Sequence, residues 1–288
     1  MRGFRPIPGA EMPETVTFPA LDGRMLTGTV FEAASPRVAV ITFGALGVPH
    51  RYYARFGASM ADHGVSVLAF DYRGVAASRD RPLPEDPATI LDWGRLDCPG
   101  AVEWARRRWP NLPLAGVGHS FGGQSFGLNG RVLELDRLVV IGAGAGDFRY
   151  YPLKDRLAFS VALGATPLVS KVLGYVPGKL GLGEDLPAGV VRQWTRWCFT
   201  HGYLSGAPEV GDTHYARFTG PALFLDLPGD TYAPERPAAV LRSWFTAAKV
   251  THRRVLAEGL PPAARGHFGA FRAGGEPIWG EIFGFVEG

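Results

Sequence analysis

Short apolar runs alternate along the chain with longer segments in which apolar residues recur at helical spacing. The short runs predict buried strands at 37–43, 65–70, 113–118, 138–142 and 222–225, and a last strand at 250–256. Helical spacing covers 51–63, 87–108, part of 231–249, and 277–286. Residues 15–32 predict a hairpin that turns at Asp22-Gly23. This order predicts an α/β protein with a mostly parallel sheet, helices on both faces, and a site at the carboxyl ends of the strands.

The alternation breaks between residues 147 and 215, a segment rich in Leu, Trp, Tyr, Gly and Pro with no clear strand. We therefore predict a core domain formed by residues 1–146 and 216–288, and a helical cap inserted at 147–215. The alternative is an extra packing layer that does not touch a substrate. The cap is favoured because the insertion leaves from the carboxyl end of a central strand.

Composition narrows the class of protein. The 288 residues are 46% hydrophobic with a net charge of +3 and no basic stripe, so a nucleic-acid partner is not expected. Two distant cysteines, Cys98 and Cys198, and an N-terminus without the apolar core of a signal peptide predict a reduced, cytoplasmic protein. No apolar run reaches about 18 residues, so no membrane span is expected. Homo-oligomerisation stays possible.

The most informative motif is Gly118-His119-Ser120-Phe121-Gly122, which follows a predicted strand and precedes a glycine-rich helix start. A serine on such a sharp strand-to-helix turn projects its hydroxyl out of the sheet as a nucleophile. The backbone amide of Phe121 then points to where an oxyanion would form. A second oxyanion amide is expected from the loop after the strand that ends at Phe43. Ala45 and Leu46 are the two candidates.

A serine nucleophile needs a histidine base and a carboxylate that orients it. In this type of fold the acid and then the histidine follow the serine in the sequence. His267 lies in a glycine-flanked loop between the last strand and the last helix, which makes it the predicted base. Asp230 follows a buried strand and precedes Pro234, so it is the predicted acid. Asp226 and Asp147 remain competitors for that role.

The remaining signals concern ligands. No His or Cys cluster has metal-ligand spacing, and the tract from Gly142 to Asp147 lacks the register of a dinucleotide loop, so no cofactor is expected. The predicted cap carries many aromatic residues, some of which should face a substrate. The predicted substrate contacts are Tyr150, Trp194 and Trp197. They predict a moderately apolar, ester-like small molecule as the partner.

Together these motifs resemble the α/β-hydrolase superfamily over nearly the whole chain. The resemblance rests on 118–122, on Phe70-Asp71-Tyr72-Arg73-Gly74 with Ser78, on 230–234 and on 266–269. A narrower resemblance is to bacterial predicted α/β-hydrolases related to the serine aminopeptidase and monoglyceride-lipase branch. It rests on residues 47–53, 181–189 and 194–198. The resemblance implies Ser120 as nucleophile, Asp230 as acid and His267 as base, with Asp71 and Arg73 structural. One departure is Phe43-Gly44, where His-Gly is usual.

The resemblance implies a serine hydrolase of the carboxylesterase type, cleaving small to medium esters through an acyl-enzyme. An aminopeptidase or amidase, a thioesterase and an acyltransferase would use the same three residues. A binding protein that keeps the fold without turnover is a further alternative.

Overall fold

The computed structural model describes residues 12–181 and 183–288. Within these residues, one sheet contains eight strands: β1 (Glu14–Pro19), β2 (Met25–Phe31), β3 (Val38–Phe43), β4 (Val65–Phe70), β5 (Leu114–His119), β6 (Arg137–Ile141), β9 (Pro221–Asp226) and β10 (Lys249–Arg254). Their order across the sheet is β1-β2-β4-β3-β5-β6-β9-β10. β2 is antiparallel to β1 and β4, and all pairs from β4 to β10 are parallel. The predicted α/β class and mostly parallel sheet are confirmed.

Helices cover both faces of this sheet, which explains why every residue of β3, β4 and β5 is buried. One apolar cluster joins the sheet to α1 (Ala54–Asp62) and α9 (Glu276–Glu287) through Phe56, Met60 and Ile282. A second cluster lies on the other face and includes Val102 and Leu241. The helices on that side are α2 (Ile90–Asp92), α3 (Cys98–Arg108), α4 (Phe121–Ser125) and α8 (Glu235–Ser243).

The predicted strands and helices agree with the structure to within a few residues. One detail differs. The predicted helix over 87–108 starts at Ile90 and contains a π-helical segment, Trp93–Asp97, between α2 and α3. The last predicted strand is β10, an edge strand whose residues are all exposed.

Residues 147–215 connect β6 to β9, and the described part of this segment adds no strand to the large sheet. This segment contains α5 (Leu153–Gly164), α6 (Thr166–Leu173) and α7 (Ala188–Phe199). Contrary to the prediction of no strand, β7 (Tyr175–Val176) and β8 (Leu186–Pro187) form a small antiparallel pair. The stretch Leu153–Leu173 has a mean hydropathy of 1.3, and by length and composition alone it could cross a membrane. The N-terminal residues behind the signal-peptide prediction lie outside the described residues.

Candidate active site

Ser120 stands on the turn between β5 and α4, with φ 54° and ψ −116°. Few residues with a side chain adopt a positive φ, so the turn holds the serine in a strained backbone conformation. The flanking glycines are required by close packing. A Cβ on Gly118 would lie 2.6 Å from the amide nitrogen of Gly123, and a Cβ on Gly122 would lie 1.9 Å from the carbonyl oxygen of Phe43. The motif therefore brings the start of α4 against the end of β3.

The structure brings Ser120, His267 and Asp230 together from three separate loops. The Oγ of Ser120 lies 2.9 Å from Nε2 of His267. Nδ1 of His267 lies 2.9 Å and 3.1 Å from the two carboxylate oxygens of Asp230. A carboxylate only accepts hydrogen bonds, so Nδ1 carries the proton and Nε2 is left to accept the serine hydroxyl. Asp230 and His267 are both buried, which shields this array from water.

Asp230 is held in place by its own loop, because its Oδ1 also accepts the backbone amides of Tyr232 and Ala233 at 2.8 and 2.9 Å. The two competing acids lie elsewhere. Asp226 binds Nε2 of His252, a residue of β10, at 2.7 Å. Asp147 caps a short helical turn and pairs with Arg149. Neither carboxylate contacts His267.

The amides around Ser120 differ in their hydrogen bonding. The N–H of Ala45 donates to the hydroxyl of Tyr53 at 2.8 Å, so it is already engaged. Within the described residues, the amides of Leu46 and Phe121 have no hydrogen-bond acceptor, and both residues line the same cavity as Ser120. Of the two loop amides that the sequence left open, the Ala45 amide is thus engaged by Tyr53, whereas the Leu46 amide has no acceptor among the described residues.

A cavity of about 160 Å³ opens beside Ser120. Most of its wall is apolar and comes from segment 147–215: Phe148, Tyr151, Phe159, Leu163, Leu180, Trp194 and Cys198. Gln124 and Tyr232 complete it from the core. Burial raises the pKa of the Cys198 thiol well above its ordinary value, so the thiol stays protonated and is a poor nucleophile.

Only one of the three predicted substrate contacts, Trp194, lines this cavity. Trp197 is fully buried, and its indole N–H donates to Glu209 at 2.8 Å. The guanidinium of Arg236 lies over the ring of Tyr150, with its Cζ 5.6 Å from the ring centre. The two tryptophans are three residues apart on α7, which places them only about 60° apart around the helix, so their spacing does not indicate which ring lines the cavity. Gln124 was not predicted from the sequence, and Tyr151 belongs to the aromatic residues of the predicted cap but not to the three predicted contacts; both line the cavity.

The Asp71 carboxylate holds the loop beside Leu46. It accepts the backbone N–H of His50 at 2.6 Å, binds Nδ1 of the same histidine at 2.8 Å, and accepts the amide of Ala77 at 3.0 Å. Arg73 is buried and pairs with Asp97 and Asp22. These contacts fit the structural interpretation of both residues.

Two glycines of the tract that follows β6 are packed closely against other parts of the protein. A Cβ on Gly144 would lie 2.8 Å from Pro237, and one on Gly146 would lie 2.8 Å from the Tyr203 ring. In the described part of the chain, no group of three or more His, Cys, Asp or Glu side chains could hold a metal ion.

Comparison with solved structures identifies the fold. An esterase from Exiguobacterium antarcticum matches with a TM-score of 0.62 at 14% identity, covering 96% of this chain and 100% of that chain. An esterase from Pyrococcus furiosus matches with a TM-score of 0.59 at 17% identity, covering 96% of this chain and 91% of that chain. Brefeldin A esterase, a bacterial homologue of human hormone sensitive lipase, matches with a TM-score of 0.60 at 16% identity, covering 98% and 78%.

These likenesses show that the chain has the α/β-hydrolase fold. No protein-family model and no curated protein matches the chain. The narrower resemblance to the serine aminopeptidase and monoglyceride-lipase branch stays a prediction.

Proposed function

We propose that this protein of α/β-hydrolase fold is a serine hydrolase that cleaves carboxylic esters through an acyl-enzyme on Ser120. The observation that carries the proposal is the continuous hydrogen-bonded array from Ser120 Oγ through His267 to Asp230, with separations of 2.9 Å at both steps. Such an array activates a hydroxyl that is otherwise a weak nucleophile.

In the first half of the reaction, Nε2 of His267 takes the proton from Ser120 as the serine oxygen attacks the ester carbonyl. The tetrahedral intermediate carries its negative charge on the former carbonyl oxygen. The amides of Phe121 and Leu46 are the proposed donors to that oxygen. His267 then gives its proton to the leaving alcohol, and the C–O bond to that alcohol breaks.

In the second half, water loses a proton to His267 and attacks the acyl-enzyme. The carboxylic acid leaves and Ser120 regains its proton. Asp230 keeps the proton of the histidine on Nδ1 and stabilises the imidazolium in both halves. We further propose that segment 147–215 acts as the cap over this site, because it supplies most of the cavity wall.

The cavity wall favours esters with a small to medium, moderately apolar group. It also argues against an aminopeptidase. A free amine needs a carboxylate, and among the described residues none of the cavity-lining side chains is acidic. Two acids of segment 147–215 that precede α7 are engaged elsewhere, Glu184 with Arg51 and Asp185 with the amide of Gly178. A thioesterase or an acyltransferase remains the second candidate, because the same array serves both.

The test is hydrolysis of p-nitrophenyl esters from acetate to laurate by the wild type and Ser120→Ala. We expect turnover with a chain-length optimum in the wild type, and a loss of about 10⁶-fold in the variant. Ser205→Ala is the control, since its hydroxyl donates only to the nearby carbonyl of Gly202. Labelling by a fluorophosphonate, followed by peptide mass mapping, should find the adduct on Ser120. Turnover that persists in Ser120→Ala contradicts the proposal.

A competing alcohol separates hydrolysis from acyl transfer. We expect the free acid to remain the main product when the alcohol is added. A dominant transesterified product would favour the acyltransferase instead.

A further inference from the structure

The outward faces of α5 and α6 are apolar. Leu153, Leu157 and Val161 recur every four residues on α5, and Leu168 and Val172 do the same on α6, so each set shares one helix face. All five side chains are between 60% and 77% exposed. We call these five residues the apolar cap face. Large apolar side chains grouped in this way on a protein surface mark an interaction site.

The opposite faces of the same two helices are already in contact with the protein. Phe159 and Leu163 of α5 line the cavity beside Ser120. Thr166 and Ser170 of α6 are buried. α5 is therefore apolar on both its inner and outer faces, whereas α6 has hydroxyl groups inside and leucine and valine outside. Because their inner faces are occupied, the two helices are placed to lie on an apolar phase rather than to cross it.

The charges around the apolar cap face are positive. Lys154, Arg156, Lys171 and Lys179 are exposed, and within the described residues none of them forms an ion pair. On α5, Lys154 and Arg156 flank the row of apolar residues on its two sides. The only acidic residue between 153 and 181 is Asp155, which gives this stretch a net charge of +3.

We infer that the apolar cap face docks onto an anionic lipid surface, from which the enzyme draws amphiphilic esters. This substrate class rests on the proposed esterase function. Apolar side chains set between unpaired cations match the interface of an anionic bilayer, where acyl chains lie beneath negative headgroups. A second copy of the chain fits less well, because self-pairing of this face would bring the two sets of cations together.

The cavity lies on the inner side of α5, the helix that carries three residues of the apolar cap face, because Phe159 and Leu163 line it. Leu180 lines the cavity and is 53% exposed, and the neighbouring Lys179 is one of the four cations. Docking would therefore bring the lipid surface next to the rim of the site, so that an ester could pass from it to Ser120 along an apolar path.

The test is cosedimentation of the full chain with vesicles made of equal parts phosphatidylcholine and phosphatidylglycerol, and with vesicles of phosphatidylcholine alone. We expect binding to the anionic vesicles that weakens as salt is raised. The double variant Leu157→Ser, Val161→Ser should bind at least about tenfold more weakly, as should Lys154→Glu, Lys171→Glu. The matched control is Leu256→Ser, which removes a leucine that is 69% exposed outside the segment.

Hydrolysis of a dissolved short-chain ester is measured for every variant and should be unchanged, because none of the substituted residues lines the cavity. Equal binding of the wild type and both double variants overturns the inference, as does the absence of binding to anionic vesicles. Self-association that the apolar variants abolish, without vesicle binding, assigns the face to a second copy and also overturns it. If the protein binds vesicles but hydrolyses no ester, the proposed function and the substrate class are rejected, and the docking surface is still supported.

Discussion

The imidazole of His119 ties the serine turn to the loop of the proposed base: its Nε2 lies 2.9 Å from the backbone carbonyl oxygen of His267. Its Nδ1 lies 3.0 Å from the hydroxyl of Tyr53, which in turn accepts the amide of Ala45. A backbone amide can only donate a hydrogen bond and a carbonyl oxygen can only accept one, so the direction of each hydrogen bond in this series is fixed. Tyr53 donates to Nδ1, and His119 donates from Nε2.

Replacing Tyr53 by phenylalanine should disturb the site without touching the three proposed catalytic residues. Tyr53→Phe leaves two buried groups without a partner, the amide of Ala45 and Nδ1 of His119. We expect a loss of about 1–3 kcal/mol in the free energy of unfolding, measured with urea. Because Ala45 precedes Leu46, we also expect kcat for ester hydrolysis to fall more than KM changes.

The matched control for this prediction is Tyr215→Phe. Tyr215 is equally buried, and its hydroxyl donates to the carbonyl of Gln124 rather than to either loop. A similar loss of stability in both variants, with kcat lowered only in Tyr53→Phe, would support the positioning role. An equal effect on kcat in both would contradict it.

The buried His119 should also make stability depend on pH. Burial and the nearby charge of His267 lower the pKa of His119 from 6.5 to about 3. Between these values the unfolded chain binds a proton at this residue that the folded chain does not. The free energy of unfolding therefore falls as the pH is lowered from 6.5, by at most about 1.4 kcal/mol per pH unit from this group.

This dependence is measured as the difference in urea unfolding between the wild type and His119→Asn at pH 7.5 and pH 5.0. We expect the wild type to lose more stability than the variant on acidification. Parallel losses in the two proteins would show that other groups control acid stability.

Two aspartates near the carboxyl end of β9 allow a sharp test of the proposed acid. Asp230→Asn removes the carboxylate that keeps the His267 proton on Nδ1, so we expect kcat to fall by about 10⁴-fold. Asp226→Asn removes a carboxylate that binds His252 on the neighbouring edge strand, and kcat should stay near the wild-type value. Progress curves with one p-nitrophenyl ester measure both. A larger loss in Asp226→Asn would transfer the role of the acid to Asp226.

The sheet could be predicted from the sequence because its strands leave local patterns, and the candidates for the catalytic residues also rest on local patterns. β3, β4 and β5 are buried on both faces, so they appear as continuous apolar runs. Ser120 is identified by glycines that no larger residue can replace at that turn. Its partners follow from chain order and from their positions after strands.

The cavity wall and the hydrogen-bond partners were harder to predict because they depend on tertiary packing. Nothing near Ala45 in the sequence indicates that the hydroxyl of Tyr53, on a separate helical turn, accepts its amide. Likewise, the aromatic residues of 147–215 look alike in sequence whether they are buried or line the cavity. The outward leucines of α5 escaped notice because helical spacing gives the apolar faces but not which of them is covered.

The same distinction between a buried and a cavity-lining aromatic residue yields a prediction on substrate preference. Trp194 lines the cavity, whereas Tyr150 packs under Arg236 away from it. Trp194→Ala should enlarge the cavity, so the ratio of kcat/KM for octanoate over butyrate p-nitrophenyl esters should rise by roughly tenfold, as expected when a few methylene groups gain an apolar contact. Tyr150→Ala should leave the ratio unchanged even if it lowers stability. A ratio that responds to Tyr150 and not to Trp194 would mean that the acyl group binds somewhere other than this cavity.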